Sequence, residues 1–212
     1  MKPGARDERF EKIDAFFTNL LAEYGPTPKS VDYPDAERLR IRYDELAKLL
    51  RAPGRFSLLD YGCGFGAFYD YLKERRFDCD YTGYDISEAM IAAAAAEHPG
   101  QEERFVLELA PDAVFDYVIE SGTFNLRVGN EIPTWEKLVH EALDEFDRRS
   151  RRGFAFNMLT AYRDEYHKLE RNYYGNPLHY FDLCLRKYAP NVALAHDYDL
   201  WDFTIIVRKM LP

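Results

Sequence analysis

The chain has 212 residues, of which 47% are hydrophobic, and a formal net charge of -9 at pH 7. This length suits one well-buried domain better than two, and the acidic balance argues against nucleic-acid binding, which usually needs a basic patch. Residues 1–7 contain no apolar signal, and the longest charge-free apolar run, residues 89–96, is too short to span a membrane. No membrane association is therefore predicted.

The three cysteines, Cys63, Cys79 and Cys184, show neither CxxC spacing nor a metal-binding arrangement with histidine. Free thiols fit a reducing compartment. We therefore predict a cytoplasmic protein without a metal site. Cys63 lies among glycines, and no base stands beside it in sequence, so it is interpreted as part of a loop and not as a nucleophile.

Two helices are predicted ahead of the first strand. Apolar residues recur at helical spacing from Phe10 to Tyr24, and Gly25-Pro26 ends this helix. The second helix is predicted over residues 35–50, with Pro53-Gly54 as its stop. Two helices are too few to bury their own apolar faces, so residues 1–54 are interpreted as an N-terminal cap, part of the same domain as the core of residues 55–212.

From residue 57 onward the pattern alternates between strand and helix. Strands are predicted over residues 57–61, 80–84, 104–109, 115–120, 153–159, 192–198 and 203–208. Helices are predicted over residues 67–76, 87–97, 132–149 and 178–188. Only four residues separate the last two strands, which is too short for a crossover helix, so these strands form an antiparallel hairpin.

The predicted fold class is therefore α/β. It is a Rossmann-like, seven-stranded and mostly parallel sheet with an antiparallel terminal hairpin, helices on both faces and an N-terminal helical cap. A tyrosine-rich segment at about residues 160–180 interrupts the alternation, and we interpret it as an insert that contacts substrate.

The most informative motif is a glycine-rich loop directly after the first strand. Gly62, Gly64 and Gly66 stand at alternate positions behind Asp60. Glycine lets the backbone turn tightly and approach a ligand closely, and ligands of such sheets bind beyond the carboxyl ends of the strands. Asp85 ends the second strand 19 residues after Gly66, where its carboxylate can accept both hydroxyls of an adenosine ribose.

Two cofactor classes share this layout. Gly62, Gly64 and Ala67 also satisfy the dinucleotide pattern G-x-G-x-x-G/A, so an NAD-dependent oxidoreductase is one alternative. Two features count against it. Asp60 would place a negative charge near a pyrophosphate, and the terminal hairpin replaces the second βαβαβ half of a dinucleotide-binding sheet.

Three segments resemble motifs of the class I S-adenosylmethionine (SAM)-dependent methyltransferases. They are LDYGCGFG at residues 59–66, YTGYDIS at residues 81–87 and FDYVIESG at residues 115–122. The resemblance covers residues 57–208 and implies SAM as the cofactor and S-adenosylhomocysteine (SAH) as the product. The residues that it assigns to the cofactor are Asp60, Gly62, Cys63, Gly64, Gly66, Asp85, Ile86, Glu108, Glu120 and Ser121.

Within this set, the resemblance implies a distinct place for each part of the cofactor. Asp60 and the loop from Gly62 to Gly66 surround the methionine portion, Asp85 holds the ribose and Ile86 lies against the adenine. Glu108 stands where relatives often carry an aspartate near the adenine amino group, and Glu120-Ser121 closes the pocket. Arg42, on the second cap helix, is interpreted either as a partner of the methionine carboxylate or as a solvated helix charge.

Catalytic and substrate residues are predicted from their position near the strand ends. The catalytic candidates are His167, His179 and Tyr174, and the substrate-binding candidates are Asn125, Asn157, Tyr173 and Tyr180. The alternative for the tyrosines is packing beneath a lid. The remaining histidines are predicted to be structural: His98 and His140 on the surface, and His196 packed in a strand.

The predicted function is transfer of a methyl group from SAM to the oxygen or nitrogen of a small-molecule acceptor, without nucleic-acid or membrane partners. The sequence predicts no oligomeric state. Besides the NAD-dependent oxidoreductase, two alternatives stay open at this point. One is a protein that binds SAM but has lost its chemistry, and the other is an enzyme that uses SAM for a reaction other than methyl transfer.

Overall fold

The computed structural model describes residues 8–51 and 54–210, and it has the predicted α/β architecture. The helices are α1 (Glu8–Tyr24), α2 (Ala36–Ala47), α3 (Ala67–Glu74), α4 (Glu88–Glu97), α5 (Ile132–Arg149) and α6 (Pro177–Lys187). The strands are β1 (Phe56–Tyr61), β2 (Cys79–Tyr84), β3 (Phe105–Val106), β4 (Phe115–Glu120), β5 (Ser150–Leu159), β6 (Asn191–Ala195) and β7 (Asp202–Arg208). The predicted stop at Pro53 and the predicted cap and core residues at 1–7 and 211–212 lie outside the described residues.

The seven strands form one sheet in the order β3-β2-β1-β4-β5-β7-β6. Strand β7 runs antiparallel to both β5 and β6, and the other pairs are parallel. The predicted mostly parallel sheet with a terminal hairpin is therefore confirmed. Tyr61 pairs in register with Tyr84 of β2 and with Glu120 of β4, so the loops after β1, β2 and β4 leave the sheet side by side.

The sheet is buried on both faces, as expected of parallel strands covered by helices. Leu58 of β1 belongs to one apolar cluster, which contains residues of α2, α3 and α4. The next residue, Leu59, belongs to the other cluster, which contains residues of α5 and α6. Ile13 of α1 joins this second cluster. The alternation of side chains along β1 thus divides the core into two layers.

Local sequence explains where helices α2 and α6 begin. Asp35 precedes α2, and its side chain accepts a hydrogen bond from the backbone N–H of Arg38 at 2.8 Å. Asn176 precedes α6 and accepts from Leu178 at 3.0 Å, with Pro177 in the first turn. Both are N-cap arrangements that satisfy donors left free at a helix start.

Several local predictions were wrong. Strand β3 covers only Phe105–Val106 instead of residues 104–109, because Leu107 and Glu108 turn outward and are exposed. His98 is buried, not on the surface, with its Nδ1 2.7 Å from the carbonyl oxygen of Ala94. His196 is exposed because β6 ends one residue before it.

The two cap helices contact different elements of the core. Helix α1 contacts α4, whereas α2 contacts α3, β5 and β7. Arg42 of α2 forms a buried ion pair with Asp202 at the start of β7. The cap is therefore tied to the hairpin at the far end of the chain. Within the described residues, no helix is long and apolar enough to cross a membrane.

Candidate functional site

The glycine loop between β1 and α3 takes a conformation that larger residues would strain. Gly62, Gly64 and Gly66 all have positive φ angles, of 81°, 53° and 87°, where a Cβ atom meets the backbone. A Cβ on Gly62 would also overlap the hydroxyl of Thr123, and one on Gly64 would lie 2.9 Å from Val31 Cγ1. Glycine at positions 62 and 64 therefore lets the loop make this turn and pack closely against Thr123 and Val31.

Asp85 is fixed at the end of β2 by the same loop. Its Oδ2 accepts a hydrogen bond from the Gly64 N–H at 2.9 Å, and its Oδ1 accepts from the Ser87 N–H at 2.9 Å. Burial raises the pKa of this carboxyl, and the two backbone donors oppose that shift. Each oxygen keeps a second lone pair, so the carboxylate is oriented and still able to accept a ligand hydroxyl.

A cavity of about 130 Å³ lies over the loop and Asp85. It brings together five residues predicted to hold the cofactor: Gly62, Gly64, Asp85, Ile86 and Ser121. Helix α1 closes it from outside with Phe10, Ile13 and Phe17. Of the other predicted residues, Asp60, Cys63, Gly66 and Glu120 are buried and do not line this cavity.

Asp60 and Glu120 are two buried carboxyls at the ends of the neighbouring strands β1 and β4. Asp60 Oδ2 accepts from the Tyr81 hydroxyl at 2.6 Å, and burial raises the pKa of Asp60 to about 7. Burial likewise raises the pKa of Glu120 to about 8, although its Oε1 accepts from the N–H groups of Thr123 and Phe124. Both groups thus hold a proton well above the pH at which exposed carboxyls ionise.

This proton retention predicts a pH-dependent stability. The ordinary pKa is 3.8 for Asp60 and 4.5 for Glu120. Between these values and about pH 7–8, the unfolded chain has released protons that the folded state still binds. The free energy of unfolding should therefore fall as pH rises through this window, by about 1 kcal/mol per pH unit for each group. Urea unfolding at pH 5.5 and 6.5 measures the slope.

Asp60→Asn removes one of the two groups, so its slope should be shallower than that of the wild type. Asp112→Asn, in an exposed loop, is the matched control and should keep the wild-type slope. Equal slopes for the wild type and Asp60→Asn would show that Asp60 ionises normally in the folded protein.

A second cavity, of about 490 Å³, adjoins the first. The residues that line both are Phe17, Val31, Tyr33 and Gly122. At this junction the Tyr33 hydroxyl is buried, and it makes no hydrogen bond of standard geometry within the described residues. Burial raises the pKa of Tyr33 to about 12, while nearby Ser121 lowers it slightly. Tyr33 is therefore a neutral phenol between the two cavities.

Arg42 lies in the wall of the larger cavity and not beside the glycine loop. It pairs with Asp202, and its guanidinium stands 4.4 Å from the centre of the Tyr33 ring. The alternative of a solvated helix charge was wrong, because Arg42 is buried. Arg42 therefore contacts the junction of the two cavities through the ring of Tyr33.

The predicted substrate residues are only partly brought to the cavities. Asn125 lines the larger one, and its Oδ1 accepts from the Leu159 N–H at 2.8 Å. Asn157 is fully buried and donates to the Ser121 hydroxyl at 3.3 Å. Tyr173 and Tyr180 are buried with their hydroxyls 3.0 Å apart, so both take the packing role that was the alternative.

The predicted catalytic residues lie outside both cavities. His167 and His179 are exposed, and His179 stacks on the half-buried His140 with ring centres 5.9 Å apart. The Tyr174 hydroxyl accepts from the Leu169 N–H at 2.8 Å. The described residues include no group of three or more His, Cys, Asp or Glu arranged to hold a metal.

Glu108 is also outside the cofactor cavity. It is exposed and lines a separate depression of about 480 Å³ between the segment after β3 and helix α5. Tyr61 and Tyr84 form part of the wall of this depression as well as of the cofactor cavity. Glu108 therefore approaches the site from the adjoining side and does not line it.

Sequence reasoning missed most of the larger cavity. Tyr33 lies in a proline-containing linker, and Arg163, Arg171 and Trp201 lie in loops without periodic pattern. Its residues come from the segment before α2, the loop after β4, the insert and the β6–β7 connection. No spacing in the chain signals that these four segments meet.

Comparison with known proteins identifies the family. The family described as "Methyltransferase domain" matches residues 59–149. "Putative methyltransferase Rv1506c" of Mycobacterium tuberculosis (strain ATCC 25618 / H37Rv) is 43% identical over 163 residues, which are 76% of this chain and 98% of that protein. The chain belongs to the methyltransferase family. The prediction of a class I SAM-dependent methyltransferase is thereby confirmed.

Solved structures share the fold of this methyltransferase. A Haloferax volcanii methyltransferase in complex with its activator Trm112 is 17% identical, with a TM-score of 0.61 and coverage of 98% of this chain and 100% of that one. The Burkholderia thailandensis 1,6-didemethyltoxoflavin-N1-methyltransferase, with bound 1,6-didemethyltoxoflavin and SAH, is 18% identical, with a TM-score of 0.61 and coverage of 99% and 93%. At these identities the likeness concerns the fold alone.

SAM, the methyl donor implied by this methyltransferase family, fits the residues present. Gly62 and Gly64 bring the loop backbone to the wall of the cavity, and a Cβ on either would collide with Thr123 or Val31, which also line it. The Asp85 carboxylate is held toward the cavity with lone pairs free for a diol.

Proposed function

We propose that this methyltransferase transfers the methyl group of SAM to an oxygen or nitrogen of a small-molecule acceptor. The observation that carries the proposal is the junction of the two cavities at Tyr33 and Gly122. One cavity has the residues of the cofactor motifs, and the other has room for a second molecule. The methyl group of SAM and the accepting atom, bound on either side of this junction, would lie next to each other. Such positioning lowers the barrier to group transfer.

On the cofactor side, we propose that Asp85 accepts the ribose hydroxyls and that Ile86 packs against the adenine. Gly62 and Gly64 let the backbone lie against the methionine portion, with Asp60 and Glu120 buried beneath it. Bound SAM supplies a methyl group already activated on a sulfonium. The chain's own residues therefore have to bind, orient and exclude water, and a base is needed only for an acceptor that must lose a proton.

We propose that the cap formed by residues 1–54 covers this site. Phe10, Ile13 and Phe17 of α1 form the outer wall of the cofactor cavity. Its volume of about 130 Å³ is below the 300 Å³ or so at the lower end of ligand pockets. Helix α1 therefore has to move outward as the cofactor enters, and its aromatic face then shields the reacting centre.

On the acceptor side, the larger cavity supports a small molecule. Its volume of about 490 Å³ falls in the range of small-molecule pockets. The insert at about residues 160–180 contributes Arg163, Leu169, Arg171 and Asn172 to its wall, in line with the proposed substrate role of this segment. His167, His179 and Tyr174 do not enter this proposal, because none of them reaches the cavity.

Other proteins of this fold support the same assignment without deciding it. The Burkholderia thailandensis neighbour holds a small-molecule substrate together with SAH, whereas the Haloferax volcanii neighbour is bound to a protein activator. We propose that the chain described here acts on a small molecule in the cytoplasm. The unpaired cysteines, Cys63, Cys79 and Cys184, support that compartment.

Isothermal titration with SAH, with NADH as the control, tests the cofactor side. We expect heat of binding with SAH at micromolar concentrations and none with NADH. Incubation with SAM and a metabolite panel then tests the reaction through the SAH released. Heat with NADH alone would favour an oxidoreductase. SAM binding without SAH release would favour a non-catalytic protein. SAM consumption without SAH formation would favour a different SAM chemistry.

A further inference from the structure

Four arginines line the larger cavity, and their charges are not equally compensated. Arg38 pairs with Asp35 at 2.6 Å, Arg171 pairs with Asp32 at 3.2 Å, and Arg42 pairs with Asp202. Arg163 forms no ion pair among the described residues. The wall of the cavity thus keeps one guanidinium without a carboxylate partner.

Arg163 is held at the cavity by the end of strand β5. Its backbone N–H donates to the Thr160 carbonyl at 3.3 Å, which fixes the start of the insert. Its Nε is buried and has no hydrogen-bond partner within the described residues. Burial raises the pKa of Asp202, and the charges of Arg42 and Arg163 both oppose this rise, but Asp202 is already engaged by Arg42. A buried donor left unpaired is costly, so this guanidinium is poised for an anionic ligand.

Other lining groups indicate the rest of that ligand. Asn172 Oδ1 is also buried without a partner, so it can accept one hydrogen bond from a ligand hydroxyl or N–H. Phe17, Leu159 and Trp201 supply apolar wall between the polar groups. Of the three aspartates that line the cavity, Asp32 and Asp202 are paired with arginines. Asp199 is exposed at the surface, where water screens its charge.

We propose that the acceptor is an organic acid, with an apolar body of about ring size and a carboxylate that pairs with Arg163. A planar guanidinium binds a carboxylate through two parallel hydrogen bonds, which fixes direction as well as affinity. The acid end then lies on the insert side of the cavity, and the methyl-accepting atom faces Tyr33 and Gly122. This inference rests on the proposed function, since it names the acceptor class of that same cavity.

The test uses three probes of similar size and different charge: benzoate, benzamide and benzylamine. Each is titrated into the 212-residue chain saturated with SAH, so that the cofactor side is already filled. We expect benzoate to bind about 10–100-fold more tightly than benzamide, because a charge-assisted hydrogen-bonded pair contributes that much affinity. Benzylamine should bind least. Arg163→Gln should remove most of this preference, and Arg163→Lys should keep part of it.

Arg186→Gln is the matched control, because Arg186 is exposed on α6 and pairs only with Asp182 there. It should leave benzoate binding unchanged. SAH titration of Arg163→Gln should give the wild-type affinity, which shows that the variant is folded. Equal binding of benzoate and benzamide, tighter binding of benzylamine, absence of benzoate binding, or no effect of Arg163→Gln would each overturn the organic-acid proposal. Failure of the wild type to bind SAH would instead overturn the proposed function.

Discussion

Asp85→Ala is expected to weaken SAH binding by about 10–100-fold, which corresponds to a loss of about 1.5–3 kcal/mol. The Asp85 carboxylate is fixed by two backbone donors at the end of β2 and lines the cofactor cavity. Hydrogen bonds to a charged acceptor are about twice as strong as neutral ones. Isothermal titration of the purified variant measures the loss.

Asp85 also accepts from Gly64, so the alanine variant changes the loop as well as the ligand contact. Asp85→Asn separates the two effects, because it keeps one side-chain oxygen for the loop and loses the charge. We expect Asp85→Asn to lie between the wild type and Asp85→Ala. Asp112→Ala, which removes an exposed carboxylate outside both cavities, should bind SAH as the wild type does. An unchanged SAH affinity in Asp85→Ala would refute the ribose assignment.

The cofactor half of the site could be predicted from sequence because its signals are local. Gly62, Gly64 and Gly66 are required by a single turn, and Asp85 stands at the end of the next strand. Strand order in a parallel sheet then brings the two together without further information. The structure confirms this fold, and its cofactor cavity contains Gly62, Gly64 and Asp85.

The acceptor half could not be predicted in this way, because its residues meet only through tertiary packing. Tyr33 reaches the junction because α2 is tied to β7 by the ion pair between Arg42 and Asp202, two residues 160 positions apart. Histidine placement failed for a related reason. His98 follows an alanine-rich helix and looked exposed, yet it packs beside Phe105, with ring centres 5.0 Å apart, which no periodicity in its own segment indicates.

The length of β3 was mispredicted because an apolar run does not reveal whether the sheet continues beside it. Only Phe105 and Val106 pair with β2, opposite Gly83 and Tyr84. Leu107 and Leu109 instead line the depression beside α5. The described link between β3 and β4 contains no helix, and its brevity leaves this depression open next to the cofactor cavity. The placement of Glu108 follows from that geometry.

Tyr33→Phe is expected to lower methyl transfer about 10–100-fold while leaving the folded protein as stable as the wild type or more so. The Tyr33 hydroxyl is buried at the junction and has no hydrogen-bond partner of standard geometry among the described residues. An unsatisfied buried hydroxyl costs about 1–3 kcal/mol, and its removal is nearly neutral or stabilising. A residue kept for stability alone would show the opposite pattern.

The phenol remains protonated at neutral pH, since burial raises the pKa of Tyr33 to about 12. It can therefore donate a hydrogen bond to the acceptor or accept one from it, and it would position the acceptor atom beside Gly122. Turnover is measured as SAH formed from SAM in the presence of the acceptor found in the metabolite panel. Urea unfolding of the same samples measures stability.

Tyr162→Phe is the matched control, because it makes the same chemical change at a tyrosine that is exposed and lines neither cavity. It should change neither turnover nor stability. SAH affinity should stay within about fivefold of the wild type in Tyr33→Phe, because one hydrogen bond between neutral groups contributes about 1 kcal/mol. A Tyr33→Phe protein with full turnover would remove Tyr33 from the reaction, whereas one that loses stability and turnover together would show that the hydroxyl supports the fold and not the acceptor.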